Sequence, residues 1–477
     1  MTNAADDMIE TNDINVIETI NTPKVSLAPI PGFPEFSIEE TIVMSDIQEK
    51  IKKIYELYGY VPFDTRLVET DQVLNQKGID SKELYSLNFI SRGNEYVPDE
   101  KRRKLALRFD LTVPMARYIA QNKTIISYPV KRYQIQKVYR AEGHKVATGR
   151  FNEFYQSDID VVGYNTLDIA YDSEFPAIIC NILKNVFNVE RFVMRISNRK
   201  LLEGLFRENG VKQVDKIKRA VRIIDEMEKV DQETILSSLD EVGINFESAQ
   251  TIFSLFKELY DKSPSDAITY LKEYNFKDKQ ILEGIQELET VINGVIANGV
   301  DEKYFKVDAR IARGLDYYTG TVYETNLLDH MEIGSVCSGG RYNDLVSTLS
   351  GDPDDNYPGV GLSIGLTRLI PILIKGNYLK ADKQTIANIL ITCQDKKYLS
   401  KYQEIGTMLR NADIKTDVYL NKTIKLPKQL DYANKKKYKY AIIANKYEFD
   451  DDCVVVRDMY SAEQEKVPIA KLVEYFK

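Results

Sequence analysis

Arg140-Ala141-Glu142-Gly143-His144-Lys145-Val146-Ala147-Thr148-Gly149-Arg150-Phe151-Asn152-Glu153-Phe154-Tyr155-Gln156-Ser157-Asp158-Ile159-Asp160 reads as the end of one strand, a polar loop, and the start of a second strand. Leading in, Tyr133, Ile135, Lys137 and Tyr139 alternate with Gln134, Gln136, Val138 and Arg140. Leading out, Phe154, Gln156, Asp158 and Asp160 fall on one face of a period-two strand. One wall then carries an aromatic ring, an amide and two carboxylates, with a guanidinium at its rim. A solvated hairpin would show the same alternation. Two features argue for a site instead: Arg140 and Arg150 bracket a small Gly/Thr-bearing loop where phosphates can be held by bidentate contacts, and Phe154 is placed to stack on a base.

Tyr139-Arg140-Ala141-Glu142 resembles the second signature motif of class II aminoacyl-tRNA synthetases, and the run from Gly149 to Gln156 resembles the histidyl-tRNA synthetase family in particular. Upstream, Leu105, Leu107, Phe109 and Leu111 alternate with Arg108, Asp110 and Thr112. This predicts a strand with Asp110 and Thr112 on one face, followed by a helix opening at Pro114. Its Leu-Arg-Phe-Asp-Leu-Thr-Val-Pro sequence is similar to a family segment. Downstream, Arg313-Gly314-Leu315-Asp316-Tyr317-Tyr318 matches the signature most specific to that family, and Ser338-Gly339-Gly340-Arg341-Tyr342 is a second family-like block, otherwise an ordinary Gly-Gly turn. The glycines of 359–365 are spaced wrongly for a dinucleotide fingerprint. With Arg368 they resemble the third class II motif, a strand followed by a helix.

The resemblance implies a fold and a reaction. The fold is α+β: a class II catalytic core on an antiparallel sheet flanked by helices, with a helical insertion and a C-terminal α/β anticodon-binding domain. The reaction joins L-histidine to tRNA(His) through a histidyl-adenylate made from ATP, with Mg²⁺ on the outer phosphates. Arg140 and Arg313 would be the catalytic pair at the α-phosphate. Glu142 would meet the adenine edge, Arg150 the γ-phosphate, and Phe154 and Arg368 would sandwich the ring. Asp110, Thr112 and Gln156 would take the amino acid's α-amine, Asp160 and Tyr318 its imidazole nitrogens, with Tyr317 lining the pocket. No metal-ligating residue is assigned.

Length and composition agree. A chain of 477 residues, 43% hydrophobic, can bury more than one core. Four cysteines without Cys-x-x-Cys spacing and two histidines argue against a zinc site or a disulfide framework, and suit a reduced cytoplasmic compartment. No apolar run approaches a membrane span. A net charge of −8 does not exclude RNA, because binding answers to local patches. Lys428, Lys435, Lys436 and Lys437 form one such patch, equally readable as a solvated helix face.

The expected organisation is an acidic flexible tail (1–35), a first catalytic-core segment (36–198), a helical insertion (199–300), a second catalytic-core segment (301–376), and the α/β domain (385–477). Within the first core segment, a helix over 38–58 and a strand over 61–68 would form the first class II motif and a homodimer face, although Arg66 stands where the family has proline. His144 reads as a loop residue, and Lys145 stands where another arginine is common. Two rivals share features of the resemblance. A histidine-binding regulatory subunit of ATP phosphoribosyltransferase would lack the Arg-Gly-Leu-Asp-Tyr-Tyr block and the C-terminal domain. A tRNA-sensing module would carry a kinase signature, and none appears.

Overall fold

The computed structural model describes residues 26–75, 84–88, 104–141, 149–227, 230–311, 318–352, 354–421 and 425–477. In chain order, the N-terminal region contains α1 (Ile38–Leu57), β1 (Val61–Pro62), β2 (Val68–Thr70), α2 (Asp71–Leu74), β3 (Ser86–Leu87), β4 (Leu105–Leu107), α3 (Thr112–Gln121), β5 (Val130–Tyr139), β6 (Glu153–Val162), α4 (Glu174–Asn185) and β7 (Phe192–Asn198). Helices α5 (Arg199–Glu208), α6 (Val214–Asp225), α7 (Gln232–Val242), α8 (Phe246–Asp261), α9 (Pro264–Glu273) and α10 (Lys279–Ala297) follow in succession. The core resumes with β8 (Phe305–Val307), β9 (Tyr318–Leu327), β10 (Ser335–Tyr342), α11 (Leu345–Ser350), β11 (Gly359–Gly365) and α12 (Leu366–Lys375).

The main sheet has the order β1-β5-β6-β11-β10-β9-β7-β8. Its edge strands β1 and β8 pair in parallel, while the strands between them run antiparallel. One face packs against α1, whose Ser37/Glu40 capping box starts the helix and whose Met44, Ile47, Ile51 and Ile54 form its buried stripe. The opposite face of the central strands carries the polar residues.

Two expectations need correction. The strand over 61–68 is two short pieces. Pro62 cannot donate to a ladder, and the chain then turns so that Arg66 reaches Glu69 (2.7 Å), a buried carboxylate also held by Arg117 (2.7 Å). Arg66 therefore has a structural partner here. The strand at 105–112 stops at Leu107: Ala106 and Arg108 are buried and α3 begins at Thr112, because Asp110 accepts the backbone N–H of Val113 (3.0 Å) and turns the chain into a helix. Asp110 and Thr112 are thus brought together by a helix start, not by strand alternation, and Pro114 lies inside the first turn. At the described end of the expected tail, the Gly32 carbonyl accepts the N–H of Asn152 (2.7 Å) and ties that segment to the start of β6.

The C-terminal region alternates β12 (Ile389–Ile391), α13 (Leu399–Asn411), β13 (Thr416–Val418), α14 (Leu426–Lys436), β14 (Tyr440–Ile443), α15 (Lys446–Asp450), β15 (Cys453–Asp458), β16 (Gln464–Pro468) and α16 (Leu472–Phe476). Its sheet, β13-β12-β14-β15-β16, has a hydrophobic core of its own built on Ile389, Ile391, Tyr402, Ile442 and Val454. Strand β16 escaped the sequence reading because it is an edge strand in which only Val467 is buried.

Candidate active site

The hairpin β5–β6 pairs Arg132 with Asp160, Gln134 with Asp158, and Gln136 with Gln156. Across β6, strand β11 places Gly361 opposite Asp160, Ser363 opposite Asp158 and Gly365 opposite Gln156. Directly opposed residues share a face. A row of long polar side chains is therefore flanked by a row of very small ones, and the floor of a cleft opens above them. This cleft has a volume of about 320 Å³ and is lined by Arg140, Arg150, Phe154, Gln156, Ser363 and Arg368 among others.

At its rim, the Arg140 Nε donates to the Phe109 carbonyl (3.1 Å), and the guanidinium lies 5.7 Å from the Phe109 ring and 5.1 Å from that of Phe154. Two aromatic faces fix this cation in place. Arg368, on the first turn of α12, donates to the carbonyls of Ser335 and Ile333. Gly149, at φ +68°, lets the loop backbone press against the Arg368 stem, where a Cβ would stand 2.8 Å from Cγ. Arg150 is exposed beside it.

Deeper in, Gln156 donates to Ser363 Oγ (2.7 Å), and its Oε1 has no partner among the described residues; the same holds for Asp158 Oδ1. Buried acceptors without donors are costly, so these two oxygens define a place suited to a cationic donor. Burial pushes the Asp158 carboxyl up, and pushes Asp110 up to about 6 against the pull of the Val113 N–H and of Arg140. Asp160 ends the row. Its Oδ2 meets Arg132 Nη2 at 2.5 Å and its Oδ1 accepts from the Tyr342 hydroxyl (2.8 Å); burial still raises it, to about 7, with Arg132 opposing.

The structure thus brings Arg140, Arg150, Phe154, Gln156 and Arg368 to one cleft, with Asp160 along the same strand face and Asp110 at the neighbouring helix start. Tyr318 opens β9 opposite Tyr342. Glu142, Arg313 and Tyr317 lie outside the described residues, as do His144 and Lys145. Ser338-Gly339-Gly340 is not a turn but belongs to β10, and Arg341 is structural: it is buried on Asp172 (2.7 Å) and the carbonyls of Leu167 and Asp168. Sequence reasoning gave no role to Ser363 or Arg132, and none to Asp158 although the period-two pattern already placed it on the wall. Among the described residues, no cluster of three or more His, Cys, Asp or Glu side chains is placed to hold a metal, and no helix is long and apolar enough to cross a membrane.

An antiparallel sheet walled by an arginine-and-aromatic cleft, with strand–helix β11–α12 closing it, defines a class II aminoacyl-tRNA synthetase core. The Histidyl-tRNA synthetase family model matches residues 32–369, and an Anticodon binding domain model matches residues 386–477. Histidine–tRNA ligase of Nostoc sp. PCC 7120 is 38% identical over 463 residues, covering 95% of this chain and 98% of that protein; the same enzyme of Clostridium tetani is 35% identical, covering 94% and 97%. The crystal structure of the Nostoc histidyl-tRNA synthetase superposes with a TM-score of 0.84 at 37% identity, covering 95% of this chain and 99% of that one. The chain belongs to the histidyl-tRNA synthetase family.

Proposed function

We propose that the cleft binds ATP over Arg140, Arg150, Phe154 and Arg368, and histidine along the row from Gln156 to Asp160. The reaction that follows from family membership is histidine–tRNA ligation. A carboxylate oxygen of histidine attacks the α-phosphorus of ATP and pyrophosphate leaves; the 3′-terminal ribose hydroxyl of tRNA(His) then attacks the acyl carbon and AMP leaves. Both steps depend on alignment and charge neutralisation. The observation that carries the assignment is the convergence of Arg140, Arg150, Phe154, Gln156 and Arg368, from three separate segments, on one cleft of ligand size.

In this reading Arg140, already fixed by two rings, aligns the carboxylate with the α-phosphate, and Arg313 neutralises charge developing there. Arg150 takes the γ-phosphate, Glu142 the adenine edge, and Phe154 and Arg368 the faces of the ring. Asp110, Thr112 and the unpartnered Gln156 Oε1 hold the α-ammonium. Asp160 and Tyr318 take the imidazole, with Tyr317 beside them. Pairing a buried carboxylate and a phenol with one ring excludes analogues that leave either unpaired, by about 10⁴ to 10⁵. Mg²⁺ would arrive with the nucleotide phosphates and neutralise their charge; the described residues offer it no cage of their own.

The chain divides on this view into core segments 36–198 and 301–376, insertion 199–300 and anticodon-binding domain 385–477, working as a cytoplasmic homodimer. Four buried, unbridged cysteines suit that compartment. A structure titled as an ATP phosphoribosyltransferase regulatory subunit/histidyl-tRNA synthetase, from Bacillus halodurans, shares the fold at 18% identity and a TM-score of 0.68; the C-terminal domain favours the ligase. Histidine-dependent ATP–pyrophosphate exchange tests the reading. Arg140→Lys and Arg313→Ala should each lower exchange by about 10²-fold or more with ATP affinity little changed. A near-normal rate in either removes that residue from the mechanism.

A further inference from the structure

Arg132 is a group in this neighbourhood that neither the motifs nor the assigned roles use, yet its side chain is fully buried. A buried guanidinium is retained only where it is paired. Its Nη2 meets Asp160 Oδ2 at 2.5 Å, its Nε donates to Met115 Sδ (3.1 Å), and Nη2 also reaches the Leu111 carbonyl (3.4 Å). Strand pairing sets the first contact, since Arg132 and Asp160 are directly opposed on β5 and β6. The other two come from Met115 of α3, the helix that begins at Thr112, and from Leu111, the residue after Asp110. Arg132 therefore bolts the helix start to the far end of the polar row.

We propose that Arg132 is a positioning residue for histidine recognition, keeping the Asp160 carboxylate aimed so that it accepts the imidazole N–H and opposing its protonation. This rests on the proposed role of Asp160. An imidazole near neutrality offers one N–H and one bare nitrogen. A carboxylate accepts the N–H; a neutral carboxylic acid would present its own hydrogen to the same place and lose that pairing. The charged and titratable groups facing Asp160 are Arg132 from β5, Asp158 from its own strand, Tyr342 from β10 and Asp110 from the start of α3, with Tyr60 nearby; β11 contributes only Gly361. Arg132 is the cation paired with Asp160, and it also acts on Asp158 and Asp110, all three being raised by burial. Without it the row is three crowded acids, and protonation is the cheapest relief.

The test is the KM for histidine in ATP–pyrophosphate exchange, measured at pH 7 and pH 8.5 for the wild type, Arg132→Met, Arg132→Lys and Asp160→Asn. Taking the ratio of variant to wild type at each pH cancels the titration of histidine itself. For Arg132→Met the ratio should rise about tenfold at pH 7 for each unit by which the Asp160 pKa climbs past the assay pH, and should fall back at pH 8.5 as the carboxylate ionises. Arg132→Lys, which keeps the charge, should restore most of the affinity at pH 7. Asp160→Asn should show a raised ratio that does not recover with pH. A ratio for Arg132→Met that is the same at both pH values, with Asp160→Asn still impaired, overturns the inference and leaves the Asp160 assignment standing. An unchanged KM in Asp160→Asn overturns that assignment and the inference with it. Should Arg132→Met not fold, Arg132→Lys decides: a raised histidine KM that is larger at pH 8.5 than at pH 7 contradicts the proposal.

Discussion

Gly361→Ala is a one-carbon change that should injure histidine recognition from beneath. The new Cβ would overlap Asp160 Oδ1 and stand 2.7 Å from its Cγ, with the Ile159 carbonyl 3.1 Å away. Asp160 has no room to retreat. Its Oδ2 is pinned by Arg132 at 2.5 Å and its Oδ1 by the Tyr342 hydroxyl at 2.8 Å, and the backbone around it is the ladder of β6 with β5 and β11. The carboxylate must swing away and break the Tyr342 bond. A hydrogen bond to a charged group is worth about 1.5–3 kcal/mol. If the imidazole contact is lost with it, the histidine KM should rise about 10- to 150-fold, at about 1.4 kcal/mol per factor of ten. Overpacking adds a stability cost of about 1–3 kcal/mol, so the melting temperature should fall as well, while the ATP KM stays put. Exchange kinetics with histidine and ATP varied separately, alongside thermal melting, make the measurement. An unchanged histidine KM together with an unchanged melting temperature would show that the carboxylate is free to move, and the account of a pinned acid would be wrong.

Two further outcomes follow from the same geometry. Burial raises Asp110 to about 6 and Asp160 to about 7, whereas an unfolded aspartate titrates near 3.9, so across about pH 4 to 7 the native state holds protons that the unfolded chain has shed. These groups therefore make the fold lose stability as pH rises through that window, and Asp110→Asn should flatten the decline in melts taken from pH 4 to 7; an unaltered slope would contradict the assigned burial effect. Gly149→Ala forces a left-handed residue costing about 1–2 kcal/mol and crowds Arg368. The ATP KM should rise about 5- to 30-fold, with the histidine KM nearly unchanged, and equal effects on both would place the loop elsewhere than over the nucleotide.

Much of this was legible in residue order. The hairpin's alternation placed Gln156, Asp158 and Asp160 on one face because β6 is long and its backbone period is enforced by neighbours on both sides. The helices from α5 to α10 were legible for the complementary reason, an apolar stripe at helical spacing, as in the buried Ile217, Ala220, Val221 and Ile224 of α6. The segment 105–112 misled because alternation in sequence says nothing of a side chain that bends the backbone. Asp110 caps the turn that begins α3, and a strand that could have continued ends instead. Arg132 was invisible for another reason: a basic residue in a half-polar strand reads as solvated, and only the register with Asp160 shows what neutralises it.

The glycine run of 359–365 shows how a pattern acquires its meaning from the strand beside it. Read along the chain, it tempts a dinucleotide fingerprint that its spacing does not fit. Read across the sheet, Gly361, Ser363 and Gly365 stand opposite Asp160, Asp158 and Gln156, and the next strand continues the theme with Gly340 opposite Gly361 and Ser338 opposite Ser363. Two adjacent strands thus give up their side chains on the face where the third presents its acids. The small residues leave room for ligand above the row, and at Gly361 they leave room for the acid itself. A larger residue at Ser363 would close the floor and take away the hydroxyl to which Gln156 donates. The chemistry resides in the polar strand, and its small neighbours decide how deep that strand can hold charge.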